Sequence, residues 1–250
     1  MSEESGVEGG ARGFPVTRRS AVEGVRSADA AERERSLEAI VAAYWKPVYK
    51  HIRLKWRRSD EDAKDLTQEF FARTLEKGYF DSYDAGKGRF RTFLRVCLDG
   101  FVANQDRAAK RLKRGGDLQF LSLEFENAEG EVRTLEPAST DSPERRFDAE
   151  WVRSLLGLGV EALRAECEAS GKRIHFKLFE RYDLDRPATG APTYEELGRE
   201  FGIPATQVTN YLAFARREFR RLLLAKLREL TIDDDELRLE ARLLLGTGGD

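Results

Sequence analysis

The chain has 250 residues, 35% of them charged, and a formal net charge of −2. This length can bury the core of one large domain or of two small ones, and the small net charge excludes a global positive field that would attract a polyanion. Because no apolar run could span a bilayer and the first residues are acidic and glycine-rich, we expect a soluble, cytoplasmic protein without a membrane partner.

Charged residues are nevertheless grouped along the sequence. Basic side chains cluster in residues 107–114 and 216–228, whereas acidic side chains cluster in residues 61–65 and 233–236. Such grouping predicts local surface patches of opposite sign on a nearly neutral molecule.

Helical spacing of apolar residues dominates the first part of the chain. The composition of residues 1–13 predicts disorder, whereas residues 14–114 predict one helical domain. The segments KWRRSD and YFDSYDAGKG interrupt the spacing with Asp and Gly, which can cap helices and turn the chain. They divide this domain into three helical stretches.

The middle of the chain changes character over residues 115–146. Glycines, prolines and other turn formers predict a flexible linker there, in which LQFLSLEF allows a short extended piece. Helical spacing returns in residues 147–230 and predicts a second helical domain, which residues 231–250 follow as a tail. The predicted fold is therefore all-α, with two helical domains joined by a flexible linker.

The tail, DDDELRLEARLLLG, has an acidic start and an apolar end. We expect Leu237 and residues 243–245 to fold back on the second domain. The acidic segment would then lie near the basic residues 216–221 and weaken promiscuous DNA binding.

Residues 193–221 show, in order, the signals of a helix-turn-helix motif. Thr193 and Glu196 can form a capping box at the start of the first helix. Gly202 permits a tight turn, Ile203 can fill the space between the helices, and Pro204 fits the start of the second helix, where no amide proton is needed. The second helix of such a motif enters the major groove of DNA.

This second helix has two different faces. One is an apolar stripe that predicts packing, and it comprises Val208, Leu212, Ala215 and Phe219. Phe214 lies beside the other face and fits either contact with a thymine methyl or sugar, or packing on a neighbouring segment. On the other face the first polar residues are expected to face bases and the arginines to hold phosphates. These residues are Thr206, Gln207, Thr209, Asn210, Ala213, Arg216, Arg217, Arg220 and Arg221.

Three segments together resemble bacterial sigma factors of the extracytoplasmic-function (ECF) type. They are EDAKDLTQEFFARTLEK, GRFRTFLRVCLDGFVANQDRAAKRLKR and TYEELGREFGIPATQVTNYLAFARREFRRLL, in the order and separation typical of that family. The resemblance covers residues 14–245, and the segments FPVTRRSAV and AYWKPVYKHI are similar to those of a branch abundant in planctomycetes. It implies a promoter-specificity subunit that binds core RNA polymerase and promoter DNA, needs no cofactor and is not an enzyme.

The resemblance also implies contacts with the polymerase. In the family, the polar face of the DLTQEFF helix binds the β′ coiled coil, and here that face consists of Asp62, Asp65, Gln68 and Glu69. The helix-turn-helix of the family reads the minus-thirty-five element and touches the β flap, and the linker threads the polymerase. An anti-sigma regulator is a further possible partner, which no residue identifies. By itself, an acidic helix face also fits ordinary solvated surface.

The second segment resembles the helix that recognises and melts the minus-ten element. In the family, basic side chains hold phosphates there and a pocket accepts a base turned out of the stack. Three residues of this segment, Gly100, Asn104 and Gln105, differ from those usual in the family helix. In the other DNA-reading helix, Thr209 and Tyr211 differ from the usual residues. The resemblance therefore implies no particular promoter sequence. The implied minus-ten contacts are Arg91, Arg95, Asn104, Gln105, Arg107, Lys110 and Arg111.

No arrangement of residues predicts catalysis or metal binding. His51 and His175 have no metal-ligand companions, and Cys97 and Cys167 form no CxxC pair, so we expect reduced thiols. DAGKGRF lacks the Ser or Thr of a phosphate-binding loop. A DNA-modifying enzyme thus has no residues to support it. The open alternative is a helix-turn-helix regulator that acts without polymerase, in which the acidic face is ordinary surface.

Overall fold

The computed structural model describes residues 20–109, 123–135, 141–185 and 190–245. These residues contain ten α-helices and no strand, which confirms the predicted all-α class. The expected disordered segment, residues 1–13, lies outside the described residues. The helices are α1 (Ala21–Gly24), α2 (Ala30–Lys55), α3 (Asp60–Glu76), α4 (Phe90–Ala109), α5 (Phe125–Leu135), α6 (Pro143–Ala169), α7 (Arg173–Phe179), α8 (Tyr194–Phe201), α9 (Ala205–Glu229) and α10 (Asp234–Leu245).

Helix starts coincide with side chains that can accept a hydrogen bond from the first turn. Asp29 accepts from the amide of Ala31 at the start of α2, at 2.9 Å, and Ser59 accepts from the amide of Asp62 at the start of α3, at 3.1 Å. Such caps satisfy amides that have no partner inside the helix. The helix boundaries in this part of the chain are therefore set locally.

Helix α2 is the central element of the first half of the chain. Its side chains are buried on several faces because α1, α3, α4, α5 and α6 all pack around it. The ring of Tyr44 meets Phe90 of α4 edge-on, with centroids 5.8 Å apart, and stacks on Trp151 of α6 at 6.2 Å. Tyr44 thus joins the expected first domain to a helix of the expected second domain.

Part of the expected linker is a packed helix. Phe125, Ala128 and Val132 of α5 are buried at helical spacing, and the ring of Phe125 lies 5.2 Å from that of Tyr49 on α2. Glu129 of α5 accepts a hydrogen bond from the Tyr49 hydroxyl at 2.7 Å. The prediction of irregular structure is wrong for residues 125–135, because their turn-forming composition concealed the three apolar positions that share one face.

Helix α6 contributes to two apolar clusters and helix α9 to three. The first half of α6, with Phe147 and Trp151, is buried in the large cluster around α2, whereas Leu163 belongs to a second cluster with residues of α7 and α9. In α9 the order is reversed, since Leu212 packs near α8 and Leu227 packs in the large cluster. The expected first and second domains therefore share buried side chains, and their division at residues 146–147 stays a prediction.

Asp99 of α4 connects α4 to α2 through a group of polar contacts. Its carboxylate lies 2.9 Å from Nε2 of His51 and 2.8 Å from Nζ of Lys55, and it accepts a hydrogen bond from Nε1 of Trp56 at 3.1 Å. Burial raises the pKa of Asp99, but the hydrogen bonds from these partners outweigh it and hold the pKa well below its ordinary value. The ionised carboxylate therefore stabilises the packing of α4 on α2.

We expect Asp99→Asn to lower the free energy of unfolding at pH 7 by about 1–3 kcal/mol, because charge-assisted hydrogen bonds become neutral ones. Urea denaturation of parent and variant measures the difference. A depressed carboxyl pKa stabilises the fold above its unfolded value of about 3.9 and this contribution is lost as pH falls through the folded pKa, so the difference should shrink below about pH 4. Glu38→Gln, an exposed change on α2, is the control. Equal denaturation midpoints for Asp99→Asn and its parent would contradict the assignment.

Candidate nucleic-acid interface

Helices α8 and α9 form the predicted helix-turn-helix. The capping box is present, because Glu196 N donates to Thr193 Oγ1 at 3.2 Å and Thr193 N donates to Glu196 Oε2 at 2.7 Å. Gly202 ends α8 with φ 66°, in the left-handed region that favours glycine, and Pro204 is the N-cap of α9. The local signals in the sequence therefore located both helices and the turn.

The turn also requires a glycine that sequence analysis missed. A Cβ atom on Gly198 would lie 2.7 Å from the carbonyl oxygen of Ile203 and 3.4 Å from the amide nitrogen of Ala205. The amide of Ile203 donates to the carbonyl of Gly198 at 2.9 Å, which brings the two backbones together. Glycine is unfavourable inside a helix, and α8 has only eight residues. Its presence there was therefore the sequence signal that could have indicated a close backbone approach.

The exposed residues of α9 match the predicted DNA-facing set. Val208, Leu212 and Ala215 are buried in the packing with α7 and α8. The opposite side chains, which include amides and hydroxyls near the start of α9, face outward. The exposed members are Thr206, Gln207, Thr209, Asn210, Ala213, Arg216, Arg217, Arg220 and Arg221.

Phe214 packs on a neighbouring segment, which was one of its two predicted roles. The ring of His175, on α7, lies edge-on to Phe214 with centroids 5.1 Å apart and stacks on Tyr211 at 3.9 Å. The Lys172 ammonium lies 4.0 Å from the centroid of the Phe214 ring. Burial, followed by the nearby Lys172 charge, lowers the pKa of His175, which favours the neutral ring in this stack. These contacts fix the side of α9 next to its exposed face.

The arginines of α9 differ in how strongly they are engaged by carboxylates of the protein. Arg216 forms a two-point contact with Asp183, with Nε and one terminal nitrogen each 2.9 Å from a carboxylate oxygen. Arg221 donates to Glu218 at 2.7 Å. Arg217 is 69% exposed, lies 3.6 Å from a carboxylate oxygen of Glu218 and places its guanidinium 5.5 Å from the centroid of the Phe214 ring. It is therefore better placed than Arg216 for an exchangeable contact with phosphate.

Helix α3 presents the predicted acidic face to solvent. Asp62, Asp65 and Gln68 are exposed, while Phe70 on the opposite side is fully buried. Glu69 is half-buried and pairs with Arg73 at 2.5 Å. Three members of the predicted polymerase-binding set are thus open, and the fourth is engaged within its own helix.

Helix α4 separates its predicted DNA contacts into two groups. Asn104 and Arg107, near its end, are exposed, and Arg107 donates to Oδ1 of Asn104 at 3.2 Å. Gln105 is half-buried beside them. Lys110 and Arg111 lie outside the described residues. The C-terminal end of α4 therefore carries the accessible members of the set.

Arg91 requires a correction, because it is only 2% exposed and faces the protein interior. Its Nε lies 3.0 Å from Asp148 of α6, a terminal nitrogen lies 3.3 Å from Glu240 of α10, and its guanidinium is 4.4 Å from the centroid of the Trp151 ring. Arg91 cannot reach DNA in this arrangement. Arg95, 17% exposed, is also engaged, by Glu144 of α6 at 3.0 Å.

The tail is also placed differently from the prediction. Leu237, Leu244 and Leu245 pack against the large cluster, which includes residues from the C-terminal half of α9, as expected, whereas Leu243 is exposed. The acidic residues Glu236 and Glu240 reach α4 instead of the basic residues 216–221. The acidic segment therefore does not contact residues 216–221 as expected, because Asp234 pairs with Arg228 near the end of α9 and Glu236 contacts the start of α4. Its effect on DNA binding stays a prediction.

Other kinds of site have little support in the described ranges. Within them, no group of three or more His, Cys, Asp or Glu side chains could hold a metal ion, and no helix is long and apolar enough to cross a membrane. Cys97 and Cys167 are free thiols, and burial raises the pKa of both. The exposed faces of α3, α4 and α9 are thus the candidate functional surfaces.

Comparison with known proteins supports one family. A family model described as ECF sigma factor matches residues 19–224. No curated protein and no solved structure gives a significant match. The matched residues include α3, α4 and the helix-turn-helix, end inside α9, and leave α10 outside.

We expect Gly198→Ala to destabilise the helix-turn-helix by about 1–3 kcal/mol, since the added methyl group must push α8 away from the turn. Thermal unfolding followed by circular dichroism measures the effect. Gly157→Ala is the matched control: a Cβ there meets nothing within 4 Å, so the alanine should stabilise α6 by about 0.5–1 kcal/mol. If Gly198→Ala and Gly157→Ala changed the stability in the same direction, the close backbone approach at Gly198 would not determine the effect of the added methyl group.

Proposed function

This chain belongs to the ECF sigma factor family, and we propose that it contacts a promoter at two elements, with α4 at minus ten and the helix-turn-helix at minus thirty-five. As a sigma factor it directs RNA polymerase to promoters, so its partners are the polymerase and promoter DNA. Sigma factors are non-enzymatic DNA-binding regulators. The observation that supports the two-element proposal best is the exposed polar face of α9, the second helix of a complete helix-turn-helix.

The exposed face of α3 is proposed to bind the β′ coiled coil of the polymerase. Asp62, Asp65 and Gln68 point outward from a helix whose inner face is fixed by Ala63 and Phe70. Glu69 can join them if it exchanges its partner Arg73 for a polymerase residue. Exposed carboxylates of this kind attract a basic partner at long range and can then form charge-assisted contacts.

The start of α9 is proposed to read bases of the minus-thirty-five element. The amide side chains of Gln207 and Asn210 can each form two hydrogen bonds with the major-groove edge of adenine. Thr206 and Thr209 offer hydroxyls to either bases or phosphates, although Thr209 also donates to the carbonyl of Ala205 at 3.3 Å. Arg217 and Arg220, further along α9, are proposed to hold phosphates.

The end of α4 is proposed to engage the minus-ten element. Asn104, Gln105 and Arg107 lie together in its last two turns, and Lys110 and Arg111 follow them in sequence. Basic and amide groups of this kind can hold a single strand and a base turned out of the stack. Arg91 and Arg95 would contribute only after leaving their carboxylate partners on α6 and α10.

The remaining polymerase contacts are proposed from the family alone. The helix-turn-helix would touch the β flap, and residues 115–146 would pass through the polymerase between the two DNA contacts. In that case α5, which lies within residues 115–146, would have to leave α2 or travel with it. An anti-sigma regulator stays a further proposed partner.

We expect the purified chain, added to sigma-free core polymerase, to initiate transcription from a cognate promoter, and Asp65→Lys to weaken core binding by about tenfold or more through charge repulsion at the β′ contact. Fluorescence anisotropy of labelled chain titrated with core measures binding, and transcript mapping identifies the promoter.

The control for this prediction is Glu38→Lys, which reverses an exposed charge on α2. Equal core binding by Asp65→Lys and Glu38→Lys would exclude the proposed contact. Failure of the parent to associate with core at micromolar concentration would favour a regulator that binds DNA without polymerase.

For DNA, we expect Arg217→Ala to weaken binding about equally on all sequences and to reduce the slope of log K against log salt by about 0.9, which corresponds to one phosphate. Asn210→Ala should instead relax preference at one base pair by about 1–3 kcal/mol. Duplex binding at several salt concentrations, with each base pair of the mapped element varied, separates the two effects. An equal loss on every sequence for Asn210→Ala would contradict its role in reading a base.

A further inference from the structure

Glu236 of α10 ties three segments together at the start of α4. Its Oε1 accepts a hydrogen bond from the amide of Phe90 at 2.9 Å and lies 3.4 Å from the Tyr83 hydroxyl. Its Oε2 accepts from the amide of Ile232, in the turn between α9 and α10, at 3.0 Å. A carboxylate at a helix N-terminus is favoured by the helix dipole. Glu236 therefore joins α10 to the helix that carries the proposed minus-ten contacts.

Glu240, one turn further along α10, faces Arg91. Both side chains are 2% exposed, with 3.3 Å between the charged groups, and Arg89 lies 3.8 Å from the other oxygen of Glu240. The close atoms of Arg91 and Glu240 are not aligned for hydrogen bonds. A buried pair with such geometry gains little over apolar packing, whereas removal of one partner leaves a buried charge. The contact thus fixes where α10 docks without making the docking strong.

The arrangement in this structure, with α9 and α10 packed against the first half of the chain, is called closed here. Its dimensions are small compared with the distance between two promoter elements. The minus-ten and minus-thirty-five elements are about 25 base pairs apart, which is roughly 85 Å at about 3.4 Å per base pair. Helix α9 has 25 residues and so spans only about 37 Å, and its C-terminal half packs on α6, which in turn packs on α2. From the cluster in which α4 also packs, α9 thus covers less than half of that separation. We therefore expect two-element binding to need α9, alone or together with α6, to move away from α2 and α4.

We propose that α10 is an intramolecular latch that holds α9 against the first half of the chain and keeps Arg91 away from DNA until polymerase or promoter binding releases it. This inference rests on the proposed two-element function. Helix α10 follows α9 after a short turn, and Arg228 of α9 pairs with Asp234 of α10, so the two move together. Helix α10 lies outside residues 19–224, the part of the chain that the family model matches.

The energetic consequence of the latch does not depend on what else stabilises the closed form. Its contacts with α4 exist only while α9 and α10 lie against the first half of the chain. Their loss multiplies the ratio of open to closed molecules by a fixed factor, although α6 also packs on α2. When only the open form binds, the apparent affinity rises by that factor as long as the open form stays in the minority.

The test compares Glu236→Gln/Glu240→Gln and Glu240→Lys with the parent chain. A lysine at position 240 would lie in a buried position beside Arg91 and Arg89, where like charges repel. The side chain can avoid this repulsion only when α10 has moved away from α4. Asp235→Lys is the control on the same helix, because it changes the net charge by as much as either variant and Asp235 is 91% exposed. Hydrogen exchange of α10 and of the first turn of α4 reports the latch directly, and circular dichroism verifies that the helices are intact.

We expect exchange in these two segments to become faster by about tenfold or more in the latch variants, which the loss of a charge-assisted hydrogen bond can produce. Affinity for a mixed-sequence 60-base-pair duplex and for sigma-free core polymerase should rise by about fivefold or more over the matched control. Unchanged exchange overturns the latch, and faster exchange without tighter binding to either probe overturns its inhibitory role. Tighter DNA binding with no core binding by any variant supports the latch and contradicts the proposed sigma function.

Discussion

The buried ion pair between Lys50 of α2 and Glu150 of α6 lies at the contact on which the rest of the structure depends. Lys50 Nζ is 2.7 Å from a Glu150 oxygen, and both side chains are almost fully buried. Lys50 also contacts Glu131 of α5, and Glu150 also accepts a hydrogen bond from Arg153. Loss of the Lys50–Glu150 contact would leave costly buried charges, which disfavours other registers of α6 on α2. In that register Trp151 stacks on Tyr44, and the two halves of the chain share a core.

The same register brings the charged groups of the sequence together. Glu144 and Asp148 lie one helical turn apart on α6, opposite Arg95 and Arg91, which lie one turn apart on α4. Glu240 of α10 completes this arrangement from the other side of Arg91. The small net charge is therefore not a sign of weak electrostatics, because groups of opposite sign meet inside the molecule and neutralise one another.

Local features could be predicted from the sequence, and long-range partners could not. The capping box of Thr193 and Glu196 and the left-handed Gly202 are determined by residues three to nine positions apart, so the helix-turn-helix was recognised. Arg91 was misassigned because an arginine on an amphipathic helix has the same spacing whether it faces phosphate or Glu240. Helix α5 was missed because its apolar spacing is interrupted by residues typical of turns. The roles of the exposed residues on α3, α4 and α9 stay predictions.

The continuity of α9 links the position of the helix-turn-helix to the core around α2. Leu212 packs near α8 and Leu227 packs in the large cluster, yet both belong to one unbroken helix. If the motif moves away from α4 without α6, Leu223 and Leu227 leave their cluster, and exposure of each costs about 1.5–3 kcal/mol. New apolar contacts in a complex can offset this cost, whereas contacts with the DNA backbone alone replace no buried apolar surface. We therefore expect polymerase binding and DNA reading to be coupled through the C-terminal half of α9.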